Sequence, residues 1–145
     1  MMQKDKIYIA FVCTGNTCRS PMAAALLRAA LRTAGREDVS VESAGLSAYP
    51  GAQASVYAID VLRAYGIDLS GHRARPFSPE MARGAVVLAM TEGHRRRILD
   101  LCPDADVRLF AQDRDVPDPF AGSLETYRST AQMLSCAARA LARKL

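Results

Sequence analysis

Short continuous apolar runs alternate along this chain with longer stretches in which apolar residues recur at helical spacing. Residues 7–12 form one such run, rich in β-branched and aromatic residues, which is typical of a strand buried on both faces of a parallel sheet. From Met22 to Leu31 the spacing is helical, and Gly35 can end that helix. The whole pattern predicts strands at 6–12, 39–43, 85–90 and about 106–110, and helices at 20–34, about 52–65, about 91–101 and about 123–144.

This alternation of strands and helices predicts an α/β fold in which a parallel sheet carries helices on both faces. The chain has 145 residues, which suits one domain over 1–145 with a real core. No segment reaches ~18 consecutive apolar residues, and the first residues lack the long apolar core of a signal peptide. We therefore expect a cytoplasmic globular protein with no membrane partner.

The net charge of +4 favours anionic partners through electrostatic steering. The helix predicted at about 91–101 carries a basic run, Arg95, Arg96 and Arg97, of the kind found in nucleic-acid-binding proteins. A run of three charges on a predicted helix is more typical of a solvated face, and no aromatic residues interleave with it. We expect no nucleic-acid partner.

The loop between the first predicted strand and the first helix carries the candidate chemistry. Cys13 and Arg19 bracket it, and Gly15 allows the chain to turn tightly. We expect Ser20 to cap the helix and Pro21 to be its first residue. Main-chain N–H groups in such a turn and at a helix start bind anions. The loop is thus predicted to be an anion cradle with a nucleophile at its base.

Cys13 and Arg19 together indicate transfer of a phosphoryl group to a cysteine thiolate. The positive surroundings favour the thiolate, which is the nucleophilic form. The planar fork of Arg19 matches two phosphate oxygens, and the Ser20 hydroxyl can donate a hydrogen bond to the Cys13 sulfur. A lysine-type phosphate loop is excluded because no Gly-Lys-Ser/Thr follows. The alternative is that Cys13 is an ordinary buried cysteine and Arg19 an ordinary solvated arginine, with no catalytic role for either.

Residues 12–23 resemble the signature of the low-molecular-weight protein tyrosine phosphatase family. The similarity continues at 43–45, 66–75, 88–91 and 118–120. The resemblance implies a single three-layer α/β/α domain whose four-stranded parallel sheet has the order 2-1-3-4, an order that the apolar pattern alone leaves open. It implies neither a cofactor nor a metal, because Arg19 and the helix dipole supply the positive charge.

The resemblance also implies roles for particular residues. Cys13 would be the nucleophile, Arg19 the phosphate-binding arginine and Asp118 the general acid. The phosphate-binding loop would comprise Thr14, Gly15, Asn16, Thr17, Cys18 and Ser20. The shape of this loop would be held by Asn16, Ser20, Ser43 and His72. The substrate wall would be formed by Phe120 and Tyr49. Without the resemblance, Asp113 and Asp115 would compete with Asp118, because all three crowd one loop.

Two departures from the tyrosine-specific pattern bear on the substrate. Thr17 stands where those enzymes usually carry isoleucine, and Ala121 stands where many carry a second aromatic residue. The first departure resembles the bacterial protein arginine phosphatase branch, and threonine adds a hydroxyl that isoleucine lacks. We favour phosphoarginine in proteins as substrate, with phosphotyrosine as the alternative. The expected partners are phosphorylated proteins, the expected product is inorganic phosphate, and the expected state is a monomer.

The four cysteines are not expected to form a structural disulfide framework in a cytoplasmic protein. The resemblance implies instead a reversible Cys13–Cys18 disulfide that shields the nucleophile from overoxidation. Cys102 and Cys136 are predicted to be inert core thiols.

Three other functions remain as alternatives with weaker support. A zinc site is disfavoured because there is no Cys-x₂-Cys pair and only two histidines, His72 and His94. A thioredoxin-coupled arsenate reductase would share the fold but needs two further cysteines placed to relay a disulfide. A non-catalytic binding module would have lost Cys13, Arg19 or Asp118.

Overall fold

The first apolar run forms a central strand of the sheet in the computed structural model, which describes residues 6–145. This strand, β1, spans Ile7–Cys13, and its last five residues are buried. The other strands are β2 (Val39–Gly45), β3 (Ala85–Ala89) and β4 (Asp106–Leu109). All three strand pairs are parallel, in the order β2-β1-β3-β4. The predicted parallel sheet and its order 2-1-3-4 are confirmed.

Residues 6–145 contain five helices: α1 (Arg19–Thr33), α2 (Val56–Arg63), α3 (Pro79–Ala82), α4 (Glu92–Leu101) and α5 (Leu124–Lys144). The first four connect successive strands, and α5 follows β4. Because successive strand residues point to opposite faces, β1 supplies both cores. Ile9 and Phe11 pack with α1, α2 and α5, whereas Val12 packs with α3 and α4. The three-layer α/β/α architecture follows from this division.

Two segments differ from the predicted pattern. The helix predicted at 52–65 begins only at Val56, because Gln53 pairs with Arg73 in an isolated bridge and the Ser55 side chain accepts a hydrogen bond from the Ala58 N–H. The one-turn helix α3 was not predicted; Pro79 starts it. A single turn is too short to show an apolar period.

The prediction that Ser20 caps the first helix is wrong. The helix begins at Arg19, and Cys18 occupies the capping position without a side-chain hydrogen bond to a helix N–H. The Ser20 hydroxyl is buried and lies 2.9 Å from Cys13 Sγ. It is therefore directed at the nucleophile instead of the helix end.

The prediction that Cys136 is a core thiol is also wrong, because Cys136 is exposed on α5. Cys102, which follows the last residue of α4, is half-buried and packs against the core cluster that contains Val12. The buried stripe of α5 contains Leu134 and Ala138. Cys136 stands midway between them in sequence, which turns it to the opposite face of the helix.

Of the basic run on α4, Arg96 and Arg97 are exposed and Arg95 is half-buried. Arg95 and Arg96 form ion pairs with Glu92 on the same helix, which is the behaviour of a solvated helix face. Within residues 6–145, no helix combines the length and the apolarity needed to cross a membrane.

Candidate active site

The loop of residues 14–18 follows β1 at the carboxyl edge of the sheet, where α/β proteins bind ligands. The carbonyls of residues 13, 14, 16 and 17 point away from the loop and are engaged by the surrounding protein. The Cys13, Thr14 and Thr17 carbonyls accept main-chain hydrogen bonds at 2.9 Å from Leu46, Ser47 and Ser55. The Asn16 carbonyl lies 2.7 Å from His72 Nε2.

These outward carbonyls direct the loop N–H groups inward. All peptide bonds among the described residues are trans, so each N–H points opposite to the carbonyl of the residue before it. The N–H groups of residues 14, 15, 17 and 18 therefore face into the loop. In the described part of the chain, the N–H groups of residues 14–18 have no acceptor. Such a set of free donors forms a nest for an anion.

Asn16 holds the loop in this shape. It is fully buried and has a φ of 57°, in the left-handed region that asparagine tolerates better than most residues. Its amide nitrogen donates to Ser20 Oγ at 2.8 Å and to Ser43 Oγ at 3.0 Å. Its amide oxygen accepts from the Arg75 N–H at 2.9 Å. Burial lowers the pKa of His72, so its neutral ring donates through Nε2 to the Asn16 carbonyl.

Cys13 lies at the base of the cradle and is buried. Its sulfur is 2.9 Å from Ser20 Oγ, and Ser20 Oγ already accepts the Asn16 amide hydrogen. The Ser20 hydroxyl hydrogen then has two acceptors within reach, the Cys13 sulfur at 2.9 Å and the Ala44 carbonyl at 3.4 Å. Together with the inward N–H groups and the start of α1, this hydroxyl places hydrogen-bond donors and a positive dipole end around the sulfur.

Arg19 is buried, and its guanidinium is fixed by the loop before α5. Arg19 Nη1 donates to the Val116 carbonyl at 3.0 Å, and Nη2 lies 3.4 Å from Asp118 Oδ2. Asp118 is half-exposed, and its Oδ1 accepts a hydrogen bond from the Phe120 N–H at 3.0 Å. Arg19 and Asp118 are therefore adjacent. An oxyanion bound to Arg19 would have its leaving group beside Asp118.

Four of the six predicted loop residues share one cavity of about 190 Å³ with Cys13, Arg19 and Asp118, whereas Asn16 and Ser20 are buried and do not line it. Its lining consists of Cys13, Thr14, Gly15, Thr17, Cys18, Arg19, Asp118 and Phe120. Phe120 is 71% exposed and stands at this cavity, whereas Tyr49, 80% exposed, is not in the lining. Cavities of 660 and 780 Å³ beside α5 contain none of the predicted catalytic residues. The chemistry of the lining, not the volume, identifies the site.

The turn between β3 and α4 joins the cradle to the acid loop. The Val116 N–H donates to the Met90 carbonyl at 2.8 Å, and the Glu92 N–H donates to Asp115 Oδ1 at 2.8 Å. Asp115 thus anchors the loop to the start of α4. Because Val116 also holds Arg19, this turn sets the position of the guanidinium.

Cys18 faces away from the solvent and contacts two other helices. Its sulfur lies 3.2 Å from Tyr127 Oη and 3.5 Å from Ser55 Oγ. Burial, with a contribution from Cys18, raises the pKa of Tyr127 to about 12. The phenol therefore stays protonated at neutral pH.

Sequence reasoning missed His94, which it treated only as a potential metal ligand. The ring is buried, and Nε2 lies 2.8 Å from Thr14 Oγ1 in the cradle. One signal was available: His94 is the third residue of a helix that starts at the same edge of the sheet as the loop. In residues 6–145, no three His, Cys, Asp or Glu side chains are grouped so as to hold a metal ion.

Comparison with known proteins defines the class of this fold and site. The family model for low molecular weight phosphotyrosine protein phosphatase matches residues 8–145. A protein-arginine-phosphatase of Geobacillus stearothermophilus is 43% identical over 145 residues, covering 94% of this chain and 95% of that protein. The low molecular weight protein-tyrosine-phosphatase Wzb of Escherichia coli strain K12 is 35% identical over 143 residues, covering 94% of each chain.

A solved structure agrees with these matches. It is a cysteine-to-serine mutant of the YwlE arginine phosphatase with a phosphorylated active-site serine. It superposes with a TM-score of 0.91 at 37% identity, covering 96% of this chain and 95% of that one. The chain belongs to the low molecular weight phosphotyrosine protein phosphatase family and is a phosphatase.

Substituting Gly45 tests whether the position of the loop carbonyls matters. A Cβ on this residue at the end of β2 would lie 2.5 Å from the Thr14 carbonyl oxygen and 2.9 Å from the Asn16 nitrogen. We expect Gly45→Ala to lower kcat about a hundredfold, because small displacements at a reacting centre cost that much. Gly71→Ala is the matched control, since its Cβ would meet nothing within 4 Å. Wild-type kcat in Gly45→Ala would contradict this account of the loop.

Proposed function

We propose that this protein hydrolyses phosphoarginine in proteins through a phosphocysteine intermediate on Cys13. The observation that carries the proposal is the single cavity in which Cys13, free inward N–H groups, Arg19 and Asp118 converge. The similarity to named arginine phosphatases supports the substrate. Residues 1–145 would act as one phosphatase domain, monomeric and cytoplasmic, on phosphorylated proteins and releasing inorganic phosphate.

In the first step the Cys13 thiolate attacks phosphorus. The S–P bond forms while the bond from phosphorus to the guanidine nitrogen breaks. The inward N–H groups and Arg19 stabilise the charge on the equatorial oxygens, the main electrostatic contribution in phosphoryl transfer. The Ser20 hydroxyl, 2.9 Å from the sulfur, stabilises the thiolate before attack and again when it leaves.

Asp118 acts as the acid of the first step and the base of the second. It protonates the leaving guanidine nitrogen, then takes a proton from the water that hydrolyses the S–P bond. Asp118 Oδ2 lies 3.4 Å from Arg19 Nη2, so the proposed acid stands beside the guanidinium that binds the phosphoryl oxygens. The relative with a phosphorylated active-site serine has the kind of covalent adduct that this mechanism requires.

Thr17 supports phosphoarginine over phosphotyrosine. It is half-buried in the cavity wall, and its Oγ1 is 3.8 Å from Cys18 Sγ. A hydroxyl at this point offers a polar partner to a guanidinium group, whereas an isoleucine would offer only apolar contact.

Phosphotyrosine is the second candidate, and a specific observation favours it. Phe120 is 71% exposed at the cavity, where its ring is free to stack on the phenyl group of a substrate. Wzb, named as a tyrosine phosphatase, is 35% identical to this chain.

Arsenate reduction receives no support from the other cysteines. Neither Cys102 nor Cys136 lines the Cys13 cavity. Cys102 lies between α4 and β4, so it is at the edge of the sheet where the strands begin. The loop of residues 14–18 lies at the other edge, where the strands end.

Cys13 and Cys18 are the proposed redox pair, and their disulfide would protect the nucleophile from irreversible oxidation. Treatment with mild peroxide followed by peptide mass spectrometry should reveal a Cys13–Cys18 link that dithiothreitol reverses. Sulfinic or sulfonic acid on Cys13 without any such link would refute this pairing. The exposed Cys136 provides an internal measure of non-selective oxidation.

Replacing Asp118 tests its role as the acid. We expect Asp118→Asn to lower kcat by roughly 10²–10⁴, the usual contribution of a general acid. Asp113→Asn is the matched control, because Asp113 is an exposed carboxylate in the same loop but outside the cavity. A loss below tenfold in Asp118→Asn would remove Asp118 from the mechanism.

The substrate is tested by turnover on phosphoarginine and phosphotyrosine peptides of otherwise identical sequence. We expect the wild type to prefer phosphoarginine and Thr17→Ile to shift the kcat/KM ratio toward phosphotyrosine. Thr17→Val separates the effects, because it removes the hydroxyl without adding bulk. If Thr17→Val behaves as wild type and Thr17→Ile does not, bulk selects the substrate; a wild type that prefers phosphotyrosine overturns the arginine proposal.

A further inference from the structure

His94 belongs to no element of the mechanism above, yet its ring reaches the cradle. It lies in the first turn of α4, where its own N–H donates to the capping Thr91 Oγ1 at 3.1 Å. Its Nε2 is 2.8 Å from Thr14 Oγ1. Thr14 directly follows the nucleophile and lines the cavity. The contact therefore joins a buried ring to the residue next to Cys13.

The ring is neutral at the pH where phosphatases work. Burial, reinforced by the charges of Arg19 and Arg97, lowers the pKa of His94 to about 4; Asp118 and Asp115 oppose this shift more weakly. A neutral imidazole carries one N–H and one acceptor nitrogen. The position of that single proton decides what Thr14 can do.

The surroundings of the ring place this proton on Nε2. Nδ1 is buried and has no hydrogen-bond partner among the described residues. A proton on Nδ1 would leave an orphaned buried N–H, which proteins rarely tolerate. With the proton on Nε2, the ring donates to Thr14 Oγ1, and only the Nδ1 lone pair is left unpaired.

This choice of tautomer makes Thr14 a donor toward the cavity. Since Thr14 Oγ1 accepts from His94, its own hydroxyl hydrogen must point elsewhere. Thr14 is an exposed side chain, so without His94 it would be free to occupy other rotamers. We propose that His94 is a positioning residue whose Nε2–H fixes Thr14 Oγ1, so that the Thr14 hydroxyl donates a hydrogen bond to the bound phosphoryl group.

The test is a double-mutant cycle on His94 and Thr14. For each variant, kcat and the inhibition constant of inorganic phosphate are measured. His94→Phe keeps a ring but removes the donor, and Thr14→Val keeps the shape but removes the hydroxyl. Each should lower kcat and weaken phosphate inhibition about tenfold to a hundredfold, the range for a hydrogen bond to a charged group. The double variant should lose no more than either single variant, because both remove one interaction.

Conservative variants distinguish positioning from a merely structural role. His94→Gln retains an N–H donor and should recover most of the activity lost in His94→Phe, and Thr14→Ser should stay near wild type. Losses that multiply in the double variant, no recovery in His94→Gln, or full activity in His94→Phe would each overturn the proposal. If His94→Phe does not fold, His94→Asn takes its place in the cycle, because its shorter side chain withdraws the donor from Thr14. Thr14→Val should then cost less in the His94→Asn background than in the wild type, and an equal loss in both backgrounds overturns the proposal.

This inference rests on the proposed phosphoryl transfer at Cys13, but different results would contradict the proposed function and the role of His94. A wild-type protein without turnover on any phosphorylated peptide would defeat the proposed function. Normal wild-type turnover with uncoupled His94 and Thr14 would defeat only the inference.

Discussion

The active site depends on one constraint: the peptide groups that link residues 13 to 14, 14 to 15, 16 to 17 and 17 to 18 turn their carbonyls outward and their N–H groups inward. A loop would ordinarily satisfy such donors with water or with its own carbonyls. Here the carbonyls are already occupied by Leu46, Ser47, Ser55 and His72, so the donors are left for an anion. Preorganised donors of this kind need no rearrangement when charge develops during the reaction.

Asn16 carries much of this constraint because it is buried, adopts a left-handed φ and has both ends of its side-chain amide hydrogen-bonded. Its φ of 57° reverses the chain in the middle of the loop. Its amide links the loop to Ser20, to Ser43 on β2 and to the main chain of Arg75. The same Ser20 hydroxyl then reaches Cys13, so the network that shapes the loop also prepares the nucleophile.

Tertiary structure supplies what the loop cannot provide for itself. Arg19 is oriented by the Val116 carbonyl, 97 residues later in the chain, and Thr14 is held by His94, 80 residues later. The parallel sheet brings these segments together, since the carboxyl ends of β1 and β3 are neighbours at one edge. The sheet thereby places Cys13, Arg19 and Asp118 around a small cavity.

The sequence predicted those parts of the fold that depend on interactions between residues close together in the chain. The apolar run of β1 and the apolar period of α1 were readable because burial acts over a few residues. The tight turn expected at Gly15 falls instead on Asn16, which has the left-handed φ, and Gly15 has room for a Cβ. The sheet order came from resemblance to a family, because pairing between distant strands leaves no periodic trace. The contact of Ser20 with the Cys13 sulfur was predicted and is present at 2.9 Å. The capping role also assigned to Ser20 was wrong, because the helix begins one residue earlier, at Arg19. His94 was missed because its partner, Thr14, is close only in space.

The central claim is that the phosphoryl group passes through the Cys13 sulfur. The most direct measurement is rapid acid quenching of wild-type protein during turnover of a phosphorylated peptide, followed by intact and peptide mass spectrometry. The account predicts a burst of dephosphorylated peptide near the enzyme concentration and a phosphoryl adduct mapped to Cys13. A burst-free time course with no adduct, or an adduct on any other residue, would contradict it.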